Sequence, residues 1–218
     1  MSSFQAVFYR DGSGREPVRD FLESLDEDSQ AAIEHQIGRL NLLSDTTPHL
    51  PFPHSSQADG ELRELRCHYG RDLYRILYRC RARRAIADFA LLLISCTADT
   101  DTRTTMTKHH SPIGTSVSEH IESKLAHSKS YREAYERLAP FEQIARIAIM
   151  RRAHLGLSQQ QVAKRMGTTT SVISRIESGQ HRTGTETLRR LAEALDGHAV
   201  LGFEFATDGE PERELVAL

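Results

Sequence analysis

The chemistry that stands out in this sequence is a run of short hydroxyl side chains and one arginine near residue 170. The set comprises Thr169, Thr170, Ser171, Ser174 and Arg175. Hydroxyl and guanidinium groups hydrogen-bond base edges and phosphates, so this set is suited to contact with DNA. Val172, Ile173 and Ile176 recur among the polar residues at helical spacing. This spacing predicts a short helix with the polar residues on its outer side.

A preceding helix and a tight turn are predicted to position this polar helix. Ser158 has the residue type of an N-cap, and Gln161 three residues later completes a capping box. Gly167 follows the first helix and allows the left-handed backbone conformation that helix ends often adopt. Residues Leu157 to Gly179 therefore predict a helix-turn-helix, a motif whose second helix enters the major groove of DNA.

Two further residues beside this motif are candidate phosphate contacts. Gln159 begins the first helix, where side chains can donate to a phosphate, and Arg182 lies in the loop after the second helix. Residues 141–205 carry nine Lys or Arg and six Asp or Glu, and this positive excess favours a phosphate-facing surface. A helical core with a polar face and no ligand is the alternative explanation.

A second set of candidates lies on predicted strands in the first half of the chain. If these strands pair, Arg66 and Arg75 converge on one surface that can bind a phosphodiester and stabilise charge during its cleavage. His68 shares the strand face of Arg66 and is a candidate acid or base, and His54 is a weaker candidate. Solvated arginines, or arginines paired with Glu64 and Asp72, are the alternative that the residues alone favour.

The elements that must carry these arginines follow an α+β pattern. Phe4–Phe8 alternates as a strand does, Val18–Leu25 carries a helical apolar stripe, and Asp26 can cap a second helix. Prolines 48, 51 and 53 predict an irregular loop. Three more strands are expected at Glu61–Tyr69, Leu73–Arg79 and Ala85–Cys96. The last contains ALLLIS, apolar on both faces, and is expected inside the sheet.

These patterns divide the chain into five parts. An α+β domain, with two helices on an antiparallel sheet, is expected in residues 1–95, followed by a Thr- and Ser-rich linker in 96–116. A helical segment in 117–140 precedes an all-α helix-turn-helix domain in 141–206, whose first helix is expected at Phe141–His154. That domain is expected to end in a short strand, Ala199–Phe205, and residues 207–218 to form a loose acidic tail.

Composition narrows the class of protein. The 218 residues have a formal net charge of −2 and contain no apolar run long enough to span a membrane. The N-terminal residues show no secretion signal, and the three cysteines lack metal-type spacing, which favours reduced thiols in the cytoplasm. We therefore expect no membrane partner, no metal and no other cofactor.

The second half of the chain resembles the Cro/C1-type helix-turn-helix family over roughly residues 141–205. The resemblance rests on the small residue Ala163, the glycine of the turn, the sequence ISRIESG and the following helix LRRLAEAL. It implies a DNA-binding domain that works as a homodimer on palindromic operator sites. The Ala199–Phe205 strand is similar to the C-terminal extension of HigA-type antitoxins, which implies that this strand takes part in the dimer.

The first half resembles the RelE/HigB toxin superfamily, in its phage-derived Gp49-like branch, over about residues 4–95. The resemblance rests on FLESLDEDSQAAIEHQIGRL, GELRELR and LYRILY. It implies metal-independent cleavage of mRNA on the ribosome, with Arg66 and Arg75 in the active site. That family continues after the last strand with a basic motif such as Lys-Lys-Thr, whereas this chain continues with ISCTADTDTRTT. Loss of one cationic donor weakens such a site by on the order of a hundredfold.

The two resemblances together indicate a toxin fused to its antitoxin, with Met106 as a candidate internal start of the antitoxin half. Three functions follow as hypotheses. The first is a DNA-binding autorepressor whose toxin domain is neutralised or impaired. The second is an active ribosome-dependent endoribonuclease that its antitoxin half restrains in cis. The third is a scaffold that binds DNA and a partner without catalysis.

Overall fold

The computed structural model describes residues 4–44, 47–82, 89–98, 113–205 and 212–218. The chain divides into two compact units, Met1–Gln143 and Ile144–Leu218. Each unit is described below by itself. Met106, the candidate internal start, lies outside the described residues.

The first unit is built on a six-stranded sheet. Its strands are β1 (Phe4–Tyr9), β2 (Ser55–Asp59), β3 (Leu62–Tyr69), β4 (Asp72–Ala82), β5 (Phe89–Ala98) and β6 (Ile113–Ser116). They lie in the order β2-β3-β4-β5-β1-β6, so β5 is inside the sheet as its apolar sequence predicted. Among the described strands, β1 and β5 pair in parallel and the other neighbours pair antiparallel. The predicted α+β class is confirmed, and β2 follows the proline loop where no strand was predicted.

Two helices and a 3-10 helix lie between β1 and β2 in this unit. They are α1 (Pro17–Glu23), α2 (Glu27–Ile37) and a 3-10 helix, Gly38–Leu42. The Asp26 side chain accepts a hydrogen bond from the backbone N–H of Ser29 at 2.9 Å, which confirms the predicted cap of α2. Alternating residues of β3 and β4, such as Leu65 and Ile76, are buried at one face of the sheet.

The last residues of the predicted linker return to this unit. Ile113–Ser116 forms β6 at the sheet edge, and the linker expected at 96–116 therefore contributes strand residues at both of its ends. Glu16 accepts hydrogen bonds from the Thr115 backbone N–H at 2.8 Å and from its hydroxyl at 3.1 Å. Burial alone raises the pKa of Glu16, but these bonds and Arg10 outweigh it and lower the pKa below its usual range. A charged Glu16 therefore anchors β6.

Two further helices pack against α2, and the first of them also contacts β1 through the His120 and Phe8 rings. They are α3 (Val117–His127) and the first part of α4 (Lys129–His154). The predicted helical segment 117–140 is therefore helical, with a break at Ser128, and α4 continues through Pro140 instead of beginning at Phe141. We call residues 113–143 the covering segment.

Apolar and polar contacts join α2 to the covering segment, and Ala31 and Ala32 of α2 pack against Tyr131, Ala134 and Leu138. Glu34, fully buried, accepts a hydrogen bond from the Tyr131 hydroxyl and lies 3.2 Å from Nε2 of His120. Burial and the Glu34 carboxylate raise the pKa of Tyr131 well above its usual range, so its hydroxyl remains a donor. His35 stacks on the Tyr135 ring with centroids 3.7 Å apart.

The second unit contains the predicted helix-turn-helix. The end of α4 is followed by α5 (Gln159–Arg165), α6 (Thr170–Glu177) and α7 (Thr185–Ala194). The capping box between Ser158 and Gln161 is present, and Gly167 has a φ of +60°, as predicted. Ala163 and Ile173 lie in the apolar core that these helices share.

The chain ends in an antiparallel hairpin of β7 (Val200–Phe205) and β8 (Glu212–Ala217). The prediction of a loose acidic tail after Asp208 is therefore wrong for β8. The main chain of β8 pairs with that of β7. The prediction rested on the acidic composition of the segment, which does not report backbone pairing.

A buried ion pair joins the helices of the second unit. Arg152 of α4 donates to both carboxylate oxygens of Glu177, from Nε at 2.6 Å and from Nη2 at 2.7 Å. Gln159 of α5 donates its amide N–H to Glu177 Oε2 at 2.8 Å. Each charged residue of the pair is 1 % exposed. The pair therefore fixes α6 to α4 and α5 with directional bonds.

We predict that Glu177→Ala destabilises the second unit by about 3–5 kcal/mol, because it leaves the Arg152 charge buried without its counterion. Native-state hydrogen exchange of the α5–α7 amides measures this loss within the full chain. Glu193→Ala is the control, since Glu193 forms an exposed pair with Arg189 on α7. We expect it to cost less than about 1 kcal/mol, and equal effects of the two substitutions would contradict the prediction.

Candidate nucleic-acid interfaces

The five hydroxyl and guanidinium residues predicted to contact DNA lie together on the exposed side of α6 and at its start. We call them the α6 surface: Thr169, Thr170, Ser171, Ser174 and Arg175. Ile173 and Ile176 face the opposite way and are buried. Thr169 is the N-cap residue but its side chain forms no cap bond, and its hydroxyl lies 3.2 Å from that of Ser171. The structure therefore presents these groups outward along α6, from its N-cap to its last turn.

The loop after α6 adds Arg182 and His181, both exposed. Desolvation and the charge of Arg175 lower the pKa of His181. Sequence reasoning predicted Arg182 but missed His181, since an isolated loop histidine carries no pattern.

Gln159, predicted to contact a phosphate, is nearly buried and donates to Glu177. Its amide is thus part of the network that holds α6, and contact with phosphate stays a prediction. Sequence reasoning missed Arg152 and Glu177. The available signal was that each lies four residues after a buried residue of its own helix, Arg152 after Ala148 and Glu177 after Ile173.

In the first unit, Arg66 on β3 lies directly opposite Arg75 on β4. Glu64 contacts both, with its Oε1 2.7 Å from Arg66 Nε and its Oε2 3.8 Å from Arg75 Nη1. The Arg66 guanidinium also lies over the Phe52 ring, 5.7 Å from its centroid. The structure therefore brings the predicted arginines together, as required for phosphate binding, and one carboxylate partly offsets their charge.

The two candidate histidines differ in their surroundings. His68 is exposed beyond Arg66 on β3, and desolvation together with the charges of Arg39 and Arg66 lowers its pKa. The Gln36 side chain fixes its backbone, donating to the His68 carbonyl oxygen at 2.7 Å and accepting from its N–H at 2.9 Å. His54 is buried, with Nδ1 3.4 Å from Nη1 of Arg39.

These groups suit binding and polarisation of a phosphate, with a neutral His68 available as a base. Across the described ranges, no three metal-ligating side chains lie close enough to hold an ion. No helix among the described residues is both long and apolar enough to cross a membrane.

Comparison with known families gives two matches. Residues 20–93 match the model of the phage-derived Gp49-like proteins, and residues 147–200 match a helix-turn-helix model. Searches of curated proteins and of solved structures gave no significant match. The first match covers α1 to β5 with the two arginines, and the second covers α5 to α7 with the α6 surface. The chain thus contains a region similar to the phage-derived Gp49-like proteins followed by a region similar to helix-turn-helix DNA-binding domains.

Proposed function

We propose that this protein is a cytoplasmic toxin–antitoxin fusion that represses its own promoter. Its helix-turn-helix domain reads operator DNA, and its HigB-like toxin domain is held by a HigA-like half of the same chain. The observation that carries the proposal is the α6 surface, a cluster of exposed donors on a helix that a buried ion pair holds in place. Rigid supporting bonds keep such donors at the spacing of base edges.

The geometry assigns different tasks to these residues. Ser171 lies in the N-terminal half of α6, which enters the major groove in this motif, and Ser174 and Arg175 lie further along the same exposed side. We assign base contacts to these three, since arginine reads guanine and hydroxyls read several bases. Thr169, Thr170 and Arg182 lie at its edges and suit phosphate contacts. Gln159 acts on α6 through Glu177 and adds a phosphate contact at the start of α5.

The C-terminal hairpin supports a homodimer. Phe203 and Phe205 stack on one face of β7 and are 55 % and 49 % exposed, and Val216 of β8, which lies on the same face of the hairpin, is 55 % exposed. A hairpin alone is marginally stable in water, so this apolar surface favours a partner. A second copy is the partner that a palindromic operator requires, because two half-sites need two reading helices.

The toxin half is proposed to be neutralised. The covering segment buries Glu34 of α2 through Tyr131 and His120, and an exposed pair joins Arg137 to Asp28 at 2.7 Å. Glu64 also competes with any phosphate for Arg66 and Arg75. The second candidate function is a ribosome-dependent mRNA endoribonuclease. The position of Arg66 directly opposite Arg75 favours this function.

We predict that Arg175→Ala weakens binding to DNA from the protein's own promoter by about 1–3 kcal/mol if it reads a base. Binding to unrelated DNA changes little in that case, and the salt dependence of the affinity separates a base contact from a phosphate contact. Fluorescence anisotropy measures both affinities. Arg189→Ala removes the same charge from α7 and is expected to be neutral. Unchanged promoter binding by Arg175→Ala would exclude its role.

The dimer predicts that Phe203→Glu gives monomers, because a charge in an apolar interface lacks a partner. Sedimentation equilibrium measures the mass, and promoter binding should weaken by at least tenfold as two linked half-sites become independent. Glu204→Gln, on the opposite face of β7, is the control. A monomeric wild-type protein would contradict the proposed dimer.

Neutralisation predicts that the full chain leaves mRNA intact in a translation extract, and that Arg75→Ala behaves identically. Primer extension across a translated message measures cleavage. Cleavage by the wild-type chain that Arg75→Ala abolishes would instead support the endoribonuclease.

A further inference from the structure

A second buried ion pair joins the covering segment to the Gp49-like domain. Arg39, in the 3-10 helix, donates from Nε to Glu142 Oε1 at 2.7 Å and from Nη2 to Oε2 at 2.6 Å. Arg39 is 1 % exposed and Glu142 is 2 % exposed. Both carboxylate oxygens are thus engaged by one guanidinium, in the fork geometry that arginine uses equally for carboxylate and phosphate.

The third nitrogen of Arg39 points to the candidate site. Its Nη1 lies 3.4 Å from Nδ1 of His54, and the His54 carbonyl oxygen accepts the Arg66 backbone N–H at 2.9 Å. His68 follows Arg66 by two residues on β3. We call Arg39, His54, Arg66 and His68 the Arg39 cluster, because Arg39 contacts the His54 ring and the His54 backbone binds that of Arg66 beside His68.

We infer that Arg39 is a phosphate-binding residue of the Gp49-like domain and that Glu142 occupies it in place of an RNA phosphodiester. The inference rests on the proposed toxin–antitoxin function and specifies how the covering segment holds the toxin half. Because the pair is buried, RNA reaches Arg39 only when the segment lifts away. Docking of the covering segment and binding of RNA at the Arg39 cluster are then mutually exclusive, and Glu142 sets the balance.

The test uses the full chain and a fluorescein-labelled single-stranded RNA of about twelve nucleotides. Glu142→Gln removes the charge while keeping the shape of the side chain. We expect it to tighten RNA binding by about tenfold, the effect of weakening one charge-assisted contact. Adding Arg39→Gln should return the RNA affinity to the wild-type value or below. The two glutamine amides can hydrogen-bond to each other, and no cation remains at position 39 to bind a phosphate.

Two controls separate this effect from others. Glu133→Gln makes the same charge change on an exposed position of α4 and should leave RNA binding unchanged. Hydrogen exchange of the α2 amides should rise in Glu142→Gln, which reports that the segment has loosened. Should Glu142→Gln fail to fold, Glu142→Asp keeps the charge but breaks the two-point fork and should tighten RNA binding by about twofold to fivefold.

Three results would overturn the inference. RNA affinity that stays at the wild-type value, with or without faster exchange, excludes competition between Glu142 and RNA. Tighter binding that persists after Arg39→Gln excludes Arg39 as the phosphate-binding residue. Promoter affinity measured on the same proteins tests the proposed repressor separately. A wild-type chain that does not bind its promoter refutes the repressor function and leaves the RNA result unchanged.

Discussion

The first unit depends on the matching of charges across a buried polar helix. Helix α2 and the turn after it place Glu34 and Arg39 where neither reaches water, and a buried charge without a partner is costly. The partners come from about a hundred residues further along the chain: His120, Tyr131 and Glu142. The Gp49-like domain in this structure is therefore completed by residues outside the range of its family match.

A buried ion pair also supports the DNA-binding half. The Arg152–Glu177 pair repeats the two-point geometry of Arg39–Glu142, and α4 supplies one member of each pair. Directional buried pairs specify one arrangement of helices, because a small displacement breaks two bonds at once. In the second unit this specificity serves the α6 surface. In the first unit it ties the covering segment to the 3-10 helix that follows α2.

Backbone fit adds to the charge matching where β6 returns to the sheet. A Cβ at Gly114 would lie 2.5 Å from the Phe8 carbonyl oxygen, so the close approach of β6 to β1 requires glycine there. Glu16 then holds the neighbouring Thr115 by its backbone and hydroxyl. The covering segment thus begins as strand β6 of the sheet and continues as helices α3 and α4.

The sequence by itself determined the features whose causes are local. The capping box, the turn glycine and helical periodicity located the helix-turn-helix, and alternation located β3 and β4 with Arg66 opposite Arg75. Only the tertiary structure decided the pairing of β6 with β1 and of β8 with β7, the burial of Gln159, and the partners of Arg39. Those outcomes depend on groups far apart in the chain or on backbone pairing, neither of which leaves a periodic signal in the local sequence.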